Sequence, residues 1–190
     1  MKIAETKLHS VTPYSQGRLI NIPWLPKELP NDFEKRTWRE RCHSDKDGYI
    51  IIPPMAFCNA LKEAARFLSE SIRGKGKQTY TKHFEAGVLV QEPLHLTLKK
   101  AEIEGEWVFV PSDGRRGGGR RVLKCFPLIP EWKGLVIWYI FDDLITEDVF
   151  RRTLVTAGDL IGLGRFRPSN RGYYGRFKVE SVTWVAPEPA

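Results

Sequence analysis

The sequence predicts an α+β domain built around an antiparallel sheet, and three observations carry that prediction. Residues 54–71, PMAFCNALKEAARFLSES, repeat apolar side chains at i, i+3 and i+4, the period of one helix face. A second such pattern follows at 146–162, TEDVFRRTLVTAGDLIG. Around them lie short runs rich in β-branched and aromatic residues, of which GLVIWYIFDD at 134–143 reads as a central strand.

Taken in order, KIAETKLHSV (2–11) reads as a first strand of imperfect alternation. Residues 12–48 are irregular. They are broken by Pro13, Pro23, Pro26 and Pro30 and end in a charged stretch of helical character, NDFEKRTWRERCH. Too few apolar residues occur there for a separate core, so 12–48 is expected to be an insertion in a single domain spanning 1–190. GYIIIPP (48–54) is a short buried strand stopped by proline. The first helix follows, with Phe57, Ala60, Leu61, Ala64, Ala65 and Leu68 on one face, Pro54 in its first turn and Gly74 marking its end. Strands are predicted at 86–98, 105–112 and 121–129, the last two joined by a flexible basic hairpin over 112–121. In the second helix Val149, Phe150, Leu154, Ala157, Leu160 and Ile161 share a side. Thr146 is its expected N-cap, Glu147 and Asp148 suit the positive end of its dipole, and Gly162 closes it. The final strand begins at Tyr173 and changes phase at Ser181, where a bulge is expected. The APEPA tail is expected to fray. This β-α-β…β-α-β order is that of ferredoxin-like and RRM-like domains, in which two helices cover one sheet face and leave the other free.

Composition narrows the function. No run of about 18 apolar residues exists, so no membrane helix is expected. The start, MKIAETKLHS, lacks the apolar core of a secretory signal. Cys42, Cys58 and Cys125 are far apart and never form a C-x-x-C pair, which points to a reduced cytoplasmic protein with no structural zinc. The formal net charge is +7, and it is unevenly placed. Three glycine-rich segments, 71–83, 112–124 and 162–178, hold fourteen of the 30 Lys and Arg and one of the 23 acids. The remainder carries −6. Such segregation is the footprint expected for a polyanion, with all three segments on a common side.

The densest of these is IGLGRFRPSNRGYYGRFKV (161–179), with glycines, arginines and aromatic rings and no acid. Glycine lets a ligand backbone approach, successive free N–H groups hold anions, arginine forks bind phosphate, and rings stack on unpaired bases. Single-stranded nucleic acid needs all four. The first basic segment supplies Arg73, Lys75, Lys77 and Lys82, and the second Arg115, Arg116, Arg120 and Arg121. The spacing in the second is not that of a P-loop, so no nucleotide cofactor is expected.

With these residues in view, the chain resembles the RAMP superfamily of CRISPR-associated proteins. YIIIPPMAFCNALKEAARFL looks like that superfamily's strand and first helix, SVTPYSQGR sits where it places a small-residue segment after the first strand, and the glycine-rich loop lies between second helix and last strand. IPPMAF here replaces the commoner Gly/Ser-rich turn, and the family's backbone subunits are usually longer. The ending is also similar to that of small phage-encoded proteins. The resemblance implies guide-RNA or other single-strand binding, with subunits stacking along the strand into a ribonucleoprotein. Carried over by position, Gly162, Gly164, Arg165, Arg167, Gly172 and Tyr174 would line the backbone, joined by Lys62 and Arg66 from the first helix; Arg18, Arg171 and Arg176 are further candidate contacts to the strand.

Two other function classes stay open. Some members of the superfamily cut RNA. Metal-free cleavage needs a base and an acid, and of His9, His43, His83 and His95 the best placed in sequence is His83, beside Lys82, while His95 reads as a structural strand residue. Asp113 is a further candidate if a metal assists, although a lone turn aspartate is usually conformational. The third class is a phage-encoded protein that docks on a CRISPR complex as mimic or inhibitor.

Overall fold

In the computed structural model, residues 1–112 and 119–185 are described. Asp113, Arg115 and Arg116 and the APEPA tail lie outside the described residues. The strands are β1 (Lys2–Ser10), β2 (Tyr14–Ser15), β3 (Tyr49–Ile52), β4 (Val88–Val90), β5 (Leu94–Lys99), β6 (Glu104–Pro111), β7 (Arg121–Ile129), β8 (Lys133–Ile140) and β9 (Phe177–Val185). The helices are α1 (Pro30–Thr37), α2 (Pro54–Leu68), α3 (Thr81–Gly87) and α4 (Glu147–Thr156). A 3-10 turn, Trp38–Arg41, extends α1, and a π-turn, Ala157–Ile161, extends α4.

The architecture is α+β with antiparallel sheets, and the described residues form three of them rather than one. The main sheet has the order β4-β8-β1-β9, a second β2-β7-β6, and a third pairs β3 with β5. The single strand predicted over 86–98 is therefore two strands in different sheets. Its first residues close α3, and Glu92-Pro93 interrupts the rest, since proline has no N–H to continue a ladder. The helix predicted to run toward Gly74 stops at Leu68, with Ser69 in the left-handed region (φ 46°) as its cap.

The core forms where α2 and α4 cover the main sheet. Ala4 and Leu8 of β1, Val136, Trp138 and Ile140 of β8, Phe57, Leu61 and Ala64 of α2 and Phe150 and Leu154 of α4 are all buried. Trp138 packs edge-on against Phe57 and Phe150. Thr6 is buried among them, its hydroxyl accepting the Trp138 indole N–H at 2.8 Å. Thr146 caps α4 by accepting the Val149 N–H. The bulge expected near Ser181 appears as a register shift: Lys7 opposes Ser181 and Leu8 opposes Val179, leaving Glu180 unpaired. The final strand begins at Phe177 rather than Tyr173, because 173–175 belong to the preceding loop.

Candidate nucleic-acid interface

The loop from Gly162 to Arg176 is folded on itself and bolted to the segment after β1. The Leu163 N–H donates to Gly175 O, Gly175 N–H to Pro13 O, Arg165 N–H to Ser15 O and Tyr174 N–H to Phe166 O, all at 2.8–3.0 Å. Gly172 N–H donates to Arg167 O and Gly162 N–H to Ala157 O. The glycines thus allow the backbone to pack against itself. A Cβ on Gly172 would lie 1.8 Å from Phe166 O, and one on Gly164 2.3 Å from Ser15 O. The expected anion nest of free N–H groups is not what these residues form, because most of those groups are already engaged.

The cations of this loop divide into two kinds. Arg167 donates to Glu63 of α2 at 2.8 Å and to Ser169 at 3.0 Å. Arg176 donates to Asp159 O, and Lys178 pairs with Asp159. The Arg165 guanidinium carbon sits over the Phe126 ring, 3.4 Å from its centroid, with Glu106 3.8 Å away. Burial, with Arg41 nearby, pulls Arg165 below the usual arginine range, against the opposing pull of Glu106 and Tyr174. The Tyr174 hydroxyl donates to Glu106, and burial first, then that carboxylate, push it up to about 12. Arg167, Arg176 and Tyr174, taken from sequence as free groups, are therefore held by the protein's own acceptors, and Arg165 is packed between the Phe126 and Phe166 rings near Glu106. Arg171, by contrast, is exposed and makes no side-chain ion pair or hydrogen bond among the described residues. Phe166 and Tyr173 flank it in sequence and are 46% and 61% exposed; the Phe166 ring also packs against the Arg165 guanidinium at 4.6 Å, and Tyr173 edge-on against Tyr174.

The other predicted cations are scattered. Arg66 pairs with Glu85 of α3 at 2.7 Å, and Arg121 donates weakly to Phe109 O across the hairpin. Arg18, Arg73, Lys75, Lys77, Lys82 and Arg120 are exposed, Lys62 is half-buried, and none of these seven has an ion pair among the described residues. Their positions differ from expectation. Lys82 and His83 lie on α3 rather than in a loop, and His83 Nδ1 sits 2.6 Å from Asp142, just before α4. The glycine-rich loop begins where α4 and its π-turn end, fifteen residues later, about 22 Å along the axis. The end of segment 71–83 thus meets the chain just before α4, and its start follows Glu70, which pairs with Arg152 in the middle of that helix, whereas segment 162–178 follows the helix's end.

Two clefts were not legible in sequence. One, of about 490 Å³, lies between the glycine-rich loop and the start of α2. The other, of about 670 Å³, is lined by His9, His95 and Lys133. His9 Nδ1 lies 2.8 Å from Glu180, and His95, exposed rather than structural, is 3.1 Å from Asp45. Among the described residues no group of three or more His, Cys, Asp or Glu side chains is arranged to hold a metal ion, and no helix is long and apolar enough to cross a membrane.

No protein-family model matches the chain, and no curated protein matches it in sequence. Among solved structures it is similar to a chain of the cryo-EM structure of the Type III-B Cmr-beta bound to cognate target RNA, with a TM-score of 0.50 and 14% identity over 97% of this chain and 60% of that one. The fold is one found in CRISPR-associated complexes. A chain of a CRISPR RNA-guided surveillance complex matches with a TM-score of 0.30 and 9% identity, over 83% of this chain and 58% of that one. The chain spans about three fifths of the length of these neighbours.

Proposed function

We propose that the chain binds a single strand of nucleic acid, RNA in preference to DNA, as a RAMP-type subunit of a CRISPR ribonucleoprotein. The observation that carries this reading is the exposure of Phe166, Arg171 and Tyr173 on a pinned loop: two partly exposed rings for stacking and one guanidinium without a partner among the described residues for phosphate. The strand order β4-β8-β1-β9, with α2 and α4 against one face, supports a ferredoxin-like core. The likeness to a chain in an assembly bound to target RNA supports an RNA ligand. Side-by-side assembly along the strand is supported by the segment after β2, where Leu19, Trp24, Leu25 and Leu29 are all more than half exposed.

The test is fluorescence anisotropy with labelled oligouridylate and oligothymidylate. Phe166→Ala/Tyr173→Ala is expected to weaken binding roughly tenfold or more, without change in Tm. Unchanged affinity in the double variant, or no binding by the wild type, overturns the reading.

A second reading, metal-independent RNA cleavage, is favoured by His9 and His95 lining one cleft beside Lys133, with the His95 ring hydrogen-bonded to Asp45, a carboxylate that can orient it. Labelled RNA cut in the presence of chelator by the wild type, and not by His9→Ala or His95→Ala, is the expected result. Intact RNA under every condition removes this reading.

A further inference from the structure

The main sheet has one face under α2 and α4 and a second face that none of the described residues covers. On the covered side Ala4, Thr6 and Leu8 of β1 and Val136, Trp138 and Ile140 of β8 are buried. Strand side chains alternate, so Ile3, Glu5 and Lys7 of β1 and Leu135, Ile137 and Tyr139 of β8 point the other way. None of these six is buried, and the apolar ones do not pack on the core. Tyr139 lies between Ile3 of β1 and Leu89 of β4, and Ile3 lies beside Val185 of β9. An apolar band therefore crosses all four strands, in which Leu89 is 43% and Leu135 47% exposed. A contiguous band of this kind marks an interaction surface.

Two charges stand in the middle of the band. Glu5 opposes Ile137 and Thr183, and Lys7 opposes Leu135 and Ser181. They are two residues apart on one strand, about 7 Å. Neither makes an ion pair or a side-chain hydrogen bond among the described residues. A wholly apolar occupant would bury the Glu5 carboxylate without a partner, which is costly. The occupant must instead offer a cation to Glu5 and an anion to Lys7. A second copy of the chain does both. A two-fold axis crossing the strands at the level of Thr6 and Val136, which oppose each other, sets Glu5 against the partner's Lys7 and Lys7 against the partner's Glu5. The same axis lays Ile137 on the partner's Leu135.

We propose that the chain pairs back to back with a second copy through this open sheet face, as two stacked antiparallel sheets. With four strands across and nine residues along β1, the face measures about 19 by 30 Å. Pairing then covers about 1,000 Å² in total, the lower limit of a specific interface, so the dimer is reversible. It needs no nucleic acid, and its surface is not the exposed segment after β2.

The experiment is sedimentation velocity of the intact, nuclease-treated protein across the micromolar range. The wild type is expected to pass from monomer to dimer. Glu5→Lys and Lys7→Glu each bring like charges together at two symmetry-related contacts. Each is expected to weaken the dimer roughly tenfold or more, with Tm nearly unchanged. An equimolar mixture of the two is expected to dimerise where neither variant does alone, because every contact between copies again joins opposite charges. The double variant Glu5→Lys/Lys7→Glu is expected to pair with itself. Trp24→Ser, on the segment after β2, should pair as the wild type does. The proposal is overturned by a monomer at every concentration, by a dimer that neither reversal weakens, or by two reversal variants that fail to rescue each other. Loss of the dimer in Trp24→Ser also overturns it, by moving the contact to the segment after β2.

Discussion

Glu34 is fully buried yet remains a carboxylate. Its oxygens accept two hydrogen bonds from Arg41, at 2.7 and 2.8 Å, one from Lys124 at 2.9 Å and one from the Cys125 N–H at 2.9 Å. Burial pushes its pKa up, but Arg41, the Cys125 N–H and Lys124 together outweigh burial and hold it below the usual carboxylate value. A carboxyl lowered on folding stabilises the fold above its unfolded pKa of about 4.3, and that stabilisation is lost as pH falls through the folded value. Glu34→Ala is therefore expected to cost about 3 kcal/mol in urea unfolding near neutral pH, with the gap to wild type closing as the solution is acidified. The thiols make a second case. Burial is the main reason that Cys42 is pushed up to about 12 and Cys125 to about 11, and Cys58 is buried as well. A thiol-specific reagent is expected to label none of the three in the folded protein and all of them in denaturant.

At the scale of elements, glycine in the 162–176 loop is a packing residue. Gly172→Ala would drive a methyl into the Phe166 carbonyl, and it is expected to destabilise by about 2 kcal/mol or more and to abolish the outward display of Phe166 and Tyr173, read as a combined fall in Tm and in strand affinity. The helices were the most legible elements, because burial on one side leaves a period. Phe57, Ala60, Leu61, Ala64 and Ala65 are buried as their spacing required, although Leu68 in the last turn is not. The 134–143 run is indeed a central strand, β8, flanked by β4 and β1. β1 showed poor alternation because one of its core positions is Thr6, a polar residue whose hydroxyl is satisfied only by residues more than a hundred positions away. The 86–98 segment misled for the opposite reason: its apolar content is continuous, and nothing local separates a helix end and two short strands from one long strand.

For the molecule as a whole, the charge count was legible and its arrangement was not. Sequence gives the number of arginines in a run but not that Arg167 meets Glu63, 104 positions earlier, or that Arg176 turns back onto Asp159. The candidate site changed accordingly, from a band of free arginines to two exposed rings and, within the loop, one arginine without a partner among the described residues. Since His83 meets Asp142 before α4 while the loop follows the end of that helix, a short oligonucleotide seated on the loop is expected not to reach segment 71–83. Replacing Arg73, Lys75 and Lys77 together by alanine is expected to leave the salt dependence of short-oligonucleotide binding unchanged, whereas Arg171→Ala should reduce the slope of log K against log salt by about 1. Equal slopes for both variants would argue that the strand wraps further around the molecule.

β2 is two residues long, yet it faces two ways. Tyr14 and Ser15 pair with Ile129 and Leu128 of β7, and the Ser15 carbonyl also receives the Arg165 N–H. Whatever stiffens the loop must therefore clamp the root of the β6–β7 hairpin. Amide exchange at Leu128 and Ile129 should slow when an oligonucleotide settles some distance away, so that the hairpin feels an occupant it does not touch.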